Sequence, residues 1–333
     1  MALSFGKTPE PDRTTAGLCV VGNLTIDVIL RGITTMPEWG QEVLCRDRTE
    51  SVAGQAGAMA FAASALGVTT NIVGAVGDDA AGARIRDELA ASGVGVDALA
   101  LVHEGSTAMT VALVRPDGER AFVSDLGSLP GFDVAATAAE RLAVSPASVV
   151  ALVGTSNIRS IDQDAVVELF RVARREGSLT VFDPGWDPLG WPKETVAFVQ
   201  AVLAETDIFL PNRDETEALT GEREFARVID VVTKLCPGVT IMKAGSSGSY
   251  VFDGERIANV RAIVTSVDNA VGAGDVFDSG LIAGYLNGRD ILESVTLASA
   301  AASIYVGRRD DRFPNYAECA ELAKAVEVVA VNS

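Results

Sequence analysis

A chain of 333 residues, 48% of them hydrophobic, carries enough apolar material for a large core, in one α/β domain or two smaller ones. Its formal charge of −18 argues against a nucleic-acid partner, since no basic stretch is long enough to follow a phosphate backbone. The four cysteines (Cys19, Cys45, Cys236, Cys319) lack metal spacing and read as reduced thiols of a cytoplasmic protein, while a single histidine, His103, excludes a His-based triad or zinc centre.

Residues 1–15 are polar, contain Pro9 and Pro11, and have no apolar core of signal-peptide length. A disordered leader is expected there, and no segment is apolar enough to span a membrane. Leu18 to Gly22 reads as a buried strand, closed by Gly22-Asn23 and resumed from Ile26 to Leu30. Thr34 to Arg48, with Pro37, Trp39 and Gly40, is too polar for a core helix and is placed on an exposed flap. Ala56 to Leu66 is a small-residue helix capped by Gly67, Asn71 to Val76 a strand, and Ala80 to Ser92 a helix.

Thr107 to Val114 and Arg120 to Ser124 are β-rich runs joined by the turn signal Pro116-Asp117-Gly118. From Ser148 onward strands and helices alternate: 149–153 then 162–176, 179–182 then 193–205, 208–210 then 215–219 and 228–235, and 240–242 followed by a hairpin at 249–256. Helices at 276–286 and 291–306 complete the series. Such alternation predicts a parallel sheet with helices on both faces, with ligands beyond the carboxyl ends of the strands.

The most informative stretch is Val271-Gly272-Ala273-Gly274-Asp275-Val276-Phe277. Two glycines around one alanine allow close backbone approach, and the apolar periodicity that follows predicts a helix starting there, whose unpaired N–H groups and dipole favour an anion such as phosphate. Asp275 is the odd residue: it either caps the helix or works on a proton or metal beside that anion. Four further clusters of glycines and polar residues fall at strand ends: 22–27, 53–60, 212–215 and 243–248.

In this order the five clusters resemble the ribokinase-like (PfkB) carbohydrate kinase family over nearly the whole chain from about residue 17. The match is carried by Gly272-Ala273-Gly274-Asp275, with Gly22-xxxx-Asp27, Pro37-xx-Gly40-x-Glu42, Gly54 and its alanine-rich helix, Gly74-xx-Gly77-x-Asp79, Asn212-xx-Glu215 and Gly245-xx-Gly248 in support. The resemblance implies a three-layer α/β/α fold with a mainly parallel central sheet and a small β-rich lid, from about 31–50 and 105–126, within a single domain over 16–333. It implies ATP-dependent phosphorylation of a sugar hydroxyl, with Asp275 as general base and the Gly272, Ala273 and Gly274 amides as an anion hole. Asn212, Glu215, Lys243, Gly245 and Gly248 would hold ATP, with Glu215 reaching Mg²⁺ through water.

By the same resemblance Asp27 and Gly54 would hold the acceptor, with Asn23, Thr25 and Gln55 as further polar contacts. Ala53 and Ala58 stand where the family has a second glycine and an asparagine, so ribose or fructose would not be held in the usual way. Asn269 and Ala270 depart from the family's cation-binding aspartate, which puts K⁺ activation in doubt. Lys243 is also read as an exposed structural lysine, and Trp186 and Trp191 as packing or site rim. A homodimer through the lid is expected by resemblance. Two other readings stay open: a nucleoside kinase, with Trp39 or Phe122 walling the base, and a non-catalytic sugar- or nucleotide-binding regulator.

Overall fold

A computed structural model describes residues 17–117, 119–127, 129, 133–144, 146–158, 161–263, 271–308 and 313–331. The expected leader over 1–15 lies outside them, as do Asn269 and Ala270, on which the cation question turns.

The first strand, β1 (Leu18–Gly22), is wholly buried, and the chain then leaves its sheet. Strands β2 (Thr25–Arg31) and β3 (Asp47–Ala53) pair antiparallel across an irregular, mostly exposed segment at 34–46. Helix α1 (Gln55–Ala65) leads to β4 (Thr70–Gly77), α2 (Ala80–Ala91) and β5 (Gly95–Val102). Then come β6 (Met109–Val114) and β7 (Arg120–Asp125), which complete a four-stranded sheet ordered β3-β2-β6-β7. This lid sheet starts at Thr25 rather than near residue 31. The two residues between β1 and β2 hide a change of sheet that reads in sequence as one resumed strand.

The second half alternates: α3 (Val134–Val144), β8 (Val149–Val153), α4 (Gln163–Arg175), β9 (Leu179–Asp183), α5 (Lys193–Leu203), β10 (Ile208–Phe209), α6 (Arg213–Thr220), α7 (Phe225–Leu235) and β11 (Val239–Lys243). The expected hairpin is longer than 249–256: β12 (Ser249–Phe252) and β13 (Ile257–Val260) pair antiparallel around a turn at 253–256. Helices α8 (Ala273–Leu286), α9 (Ile291–Val306) and α10 (Tyr316–Ala323) precede β14 (Val328–Ala330). The main sheet is ordered β14-β13-β12-β11-β10-β9-β8-β1-β4-β5, parallel from β11 to β5.

Side-chain alternation splits the core between the two faces. Leu18, Val20, Val149 and Ala151 join a cluster with α1, α8 and α9, while Cys19, Val21, Val150 and Leu152 join one with α4 and α5. Small residues let α8 lie close on α9: a Cβ at Gly280 would stand 2.8 Å from Ala298 Cα, and one at Gly284 would stand 2.8 Å from Ser294 Cα. The chain leaves β1 toward β4 and β5 but returns to its other side at β8. Strand order therefore reverses beside β1, and at such a switch the carboxyl ends of the strands open a crevice.

Candidate active site

That crevice is framed by Asn23 after β1, Gly154 after β8, Asp183 at the end of β9, Lys243 at the end of β11, and the start of α8. The helix starts earlier than its apolar periodicity predicts. Gly272 is its N-cap, in the left-handed region at φ +79°, and Asp275 sits third in the first turn instead of capping it. Glycine is required at 272, because a Cβ there would be both strained and 3.3 Å from the Tyr305 hydroxyl. Ala273, Gly274 and Asp275 occupy the first turn, where backbone N–H groups have no intrahelical carbonyl to meet.

Two cavities meet at this helix end. One, of about 550 Å³, lies under the lid and is lined by Asn23, Thr25, Asp27, Gly54, Gln55 and Asp275 together with Phe61, Phe122, Trp186, Tyr305 and Phe313. The other, of about 420 Å³, is lined by Lys243, Gly245, Gly248, Ala273 and Gly274 with the apolar Ile263, Phe277 and Val306. Both are of the size that holds small molecules. The structure thus gathers the expected acceptor residues in one cavity and most of the expected nucleotide residues in the other, with Gly272 and Asp275 facing the first and Ala273 and Gly274 the second.

Asn212 and Glu215 are engaged with each other. Asn212 Oδ1 accepts the Glu215 N–H at 2.9 Å and Glu215 Oε2 accepts the Asn212 N–H at 2.8 Å, a reciprocal capping box at the start of α6. Burial, then the Asp183 charge, push the Glu215 carboxyl up to about 8.

Lys243 is not an exposed lysine. Its ammonium donates to Asp183 Oδ2 at 2.7 Å and to both oxygens of Asp278 at 3.1 and 3.2 Å. Burial opposes its charge, but Asp183, Asp278 and Glu215 outweigh that and raise its pKa. Within this cluster Asp183 keeps the negative charge, because Lys243, an Asp278 hydrogen bond and the Gly185 N–H offset its burial. Asp278 is raised well above the ordinary carboxylate range by burial, against Lys243, and by the Asp183 charge. Asp275 is raised likewise, by burial first and Asp183 next, with Lys243 and a hydrogen bond from Gln55 pulling the other way. A carboxyl held above its ordinary range is a stronger base once ionised.

On the lid, Asp27 accepts from the Thr25 hydroxyl at 2.8 Å, and burial raises its pKa against that bond. Its β2 register puts it between Ser51 and Thr110. Asn23 is 3% exposed and its Oδ1 accepts the Gln55 N–H at 3.2 Å. Of the paired tryptophans, Trp191 is buried, whereas Trp186 is half exposed on the cavity wall. His103 lies on the surface beside Asp78. Asp183 and Asp278 are the members of this cluster that sequence reasoning passed over, and Asp278 is the one with a local signal. Its signal is there in hindsight: one acid in an otherwise apolar run, three residues after Asp275 and so on the same helix face.

Residues 15–318 match the family described as pfkB family carbohydrate kinase. The chain is 30% identical over 241 residues to a protein named uncharacterized sugar kinase from Archaeoglobus fulgidus, covering 72% of this chain and 92% of that one. It is 29% identical over 307 residues to the ATP-dependent ribose-1-phosphate kinase of Halopiger xanaduensis, covering 87% and 92%. Among solved structures, Arabidopsis thaliana ribokinase complexed with ribose and ATP superposes with a TM-score of 0.78 at 23% identity, covering 93% of this chain and 99% of that one. The nucleoside kinase of Methanocaldococcus jannaschii superposes at 0.74 with 19% identity, covering 93% and 99%. With a ribokinase-like fold and a family match spanning most of its length, the chain belongs to the pfkB family of carbohydrate kinases and is an ATP-dependent carbohydrate kinase.

Proposed function

We propose that the protein transfers the γ-phosphoryl group of ATP to a hydroxyl of a sugar or sugar derivative, with Asp275 as general base and the Gly272, Ala273 and Gly274 amides as the anion hole. The observation that carries this reading is the position of Asp275. It faces the lid cavity from the first turn of α8, while Ala273 and Gly274, its neighbours on that turn, face the second cavity. An acceptor hydroxyl at the carboxylate and a phosphoryl group at the amides would then meet across one helix end.

The 420 Å³ cavity suits ATP, with Ile263, Phe277 and Val306 for an adenine and Lys243 as a point charge near the phosphates. Mg²⁺ would be held near Glu215 through water, where it would neutralise phosphate charge. The capping box engages Oε2, so Oε1 is the atom to meet a metal-bound water. A K⁺ requirement is not part of the proposal, given Asn269 and Ala270. Asp27 and Gly54 hold the acceptor, with Thr25 supporting Asp27 and with Asn23 and Gln55 on the same wall. Among the described residues the charged groups lining that cavity are Asp27, Glu88 and Asp275, all acidic, which favours a neutral acceptor over a phosphorylated one. The lid exposes Met36, Trp39, Leu44, Phe122 and Val123. That apolar surface supports a homodimer through the lid of a cytoplasmic enzyme; a sedimenting monomer at micromolar concentration would refute the dimer.

The aromatic lining of the lid cavity favours one second reading, a nucleoside acceptor whose base packs on Phe61, Trp186 or Phe122. ADP release measured across sugars, sugar acids, sugar phosphates and nucleosides tests both readings. Turnover with neutral sugars is expected over sugar acids and sugar phosphates, and turnover with nucleosides alone would replace the first reading by the second. Ligand-induced thermal stabilisation without any turnover would point to a regulator instead.

A further inference from the structure

Gln55 lines the lid cavity with the acceptor residues, and its surroundings give its side chain a further part. It opens α1 directly after Gly54, and its backbone N–H is fixed by Asn23 Oδ1 at 3.2 Å. From there its carboxamide crosses the carboxyl ends of the strands. A Cβ added to Gly185 would collide with Gln55 Oε1 and stand 3.5 Å from Nε2, and one added to Gly154 would stand 3.1 Å from Oε1. Both glycines adopt left-handed conformations, at φ +69° and +65°. Both are also anchored to one residue: the Gly185 N–H donates to Asp183 Oδ1 and the Gly154 N–H to the Asp183 carbonyl, each at 3.0 Å. The oxygen end of the amide therefore lies against two fixed glycine loops. The amide shares the lid cavity with the Asp275 carboxyl and faces it, and with Oε1 turned to the glycines Nε2 is the end able to donate.

We propose that Gln55 is a positioning residue for the catalytic base: its amide, braced by Asn23 and by the Gly154 and Gly185 loops, aims the Asp275 carboxylate at the acceptor. The inference rests on the reading of Asp275 as base. An aspartate on the first turn of a helix keeps rotamer freedom that costs rate unless something holds it, and a hydrogen bond to the charged form opposes protonation. The other groups that face Asp275 are Asp183 from β9, Lys243 from β11, Glu215 from α6, and Asp278 one turn along its own helix. Their identities are unchanged by substitutions at 55. The two glycines have a matching purpose: they leave room for the amide that reaches the base.

The test uses Gln55→Met, Gln55→Glu and Gly185→Ala, the last removed from the acceptor side chains. Two readouts are taken: steady-state ADP release with whichever sugar or nucleoside of the panel above is turned over fastest, and the titration of Asp275 in protein labelled with ¹³C at aspartate carboxyls, for which Asp275→Asn identifies the resonance. Expected for Gln55→Met are a kcat lower by about tenfold to a hundredfold, an acceptor KM within about twofold of wild type, and an Asp275 titration moved to higher pH. Gln55→Glu moves it further, by adding a carboxyl beside a carboxyl, and Gly185→Ala moves it in the same direction. An acceptor KM that rises while kcat and the Asp275 titration stay put would make Gln55 an acceptor ligand and overturn the inference. Failure of the underlying reading looks different: Asp275→Asn would retain turnover, whatever the titration does.

Discussion

Replacing Glu215 with glutamine separates what its charge does from what its cap does. Glutamine at the third helical position still accepts the Asn212 N–H, so α6 keeps its start. What is lost is a proton. The carboxyl moves from an ordinary value of 4.5 to about 8 in the folded protein, because it is buried and faces the Asp183 charge. Between those values the folded state holds a proton that the unfolded chain has released, so stability is fully present below the lower one and is lost as pH rises toward the higher. From pH 6 to pH 8 this group's share of the loss comes to about 2 kcal/mol. Urea denaturation of wild type and Glu215→Gln at both pH values reads the difference directly. The variant should gain about 2 kcal/mol relative to wild type between pH 6 and pH 8. Parallel stability profiles would refute the reasoning, since they would mean that Glu215 is already ionised and that its burial is compensated by something else. The same variant should need more Mg²⁺ for half-maximal ADP release if an oxygen of Glu215 meets a metal-bound water.

Lys243→Met removes the ammonium from Asp183 and Asp278 and leaves two carboxyl groups only 4% and 1% exposed, which should cost about 3–5 kcal/mol in urea denaturation; a loss under about 1 kcal/mol would mean that the pair is solvated in solution. Gly280→Val drives a branched side chain into the backbone of α9 at Ala298 and should cost about 1–3 kcal/mol or more, while an unchanged thermal midpoint would contradict the close α8–α9 approach.

Much of this was legible in the sequence, where local pattern and tertiary demand agree. The alternation after Ser148 gave the parallel sheet, because strands buried on both faces read as short apolar runs. The lid was harder: β1 and β2 are separated by Asn23 and Leu24 alone, and nothing local says that the chain has changed sheets. Neither the half-exposed β5 nor the exposed β14 carries a strong enough apolar signal to announce itself. Of the site, the glycine loop and Asp275 could be read because a helix N-terminus is a local feature. The helix starts before its apolar periodicity does, because Gly274 is a poor helix former and Ala273, flanked by two glycines, adds no periodic apolar position, although these are its first two residues. The Lys243, Asp183 and Asp278 cluster joins the ends of two strands to the second turn of a helix, so no spacing in the chain encodes it. Asn212-xx-Glu215 was visible as a family motif, and the structure engages it as a capping box where the resemblance assigns it to ATP and Mg²⁺.

The central claim is that Asp275 takes the proton from the acceptor hydroxyl, and Asp275→Asn tests it most directly. Asparagine keeps the size and a hydrogen-bonding oxygen for Gln55 and the first turn of α8, but cannot accept the proton. ADP release with the best acceptor should fall by about 10²–10⁴-fold, with the KM for ATP within a few-fold of wild type because the amides and Lys243 remain. Turnover close to wild type in a variant that melts normally would contradict the account.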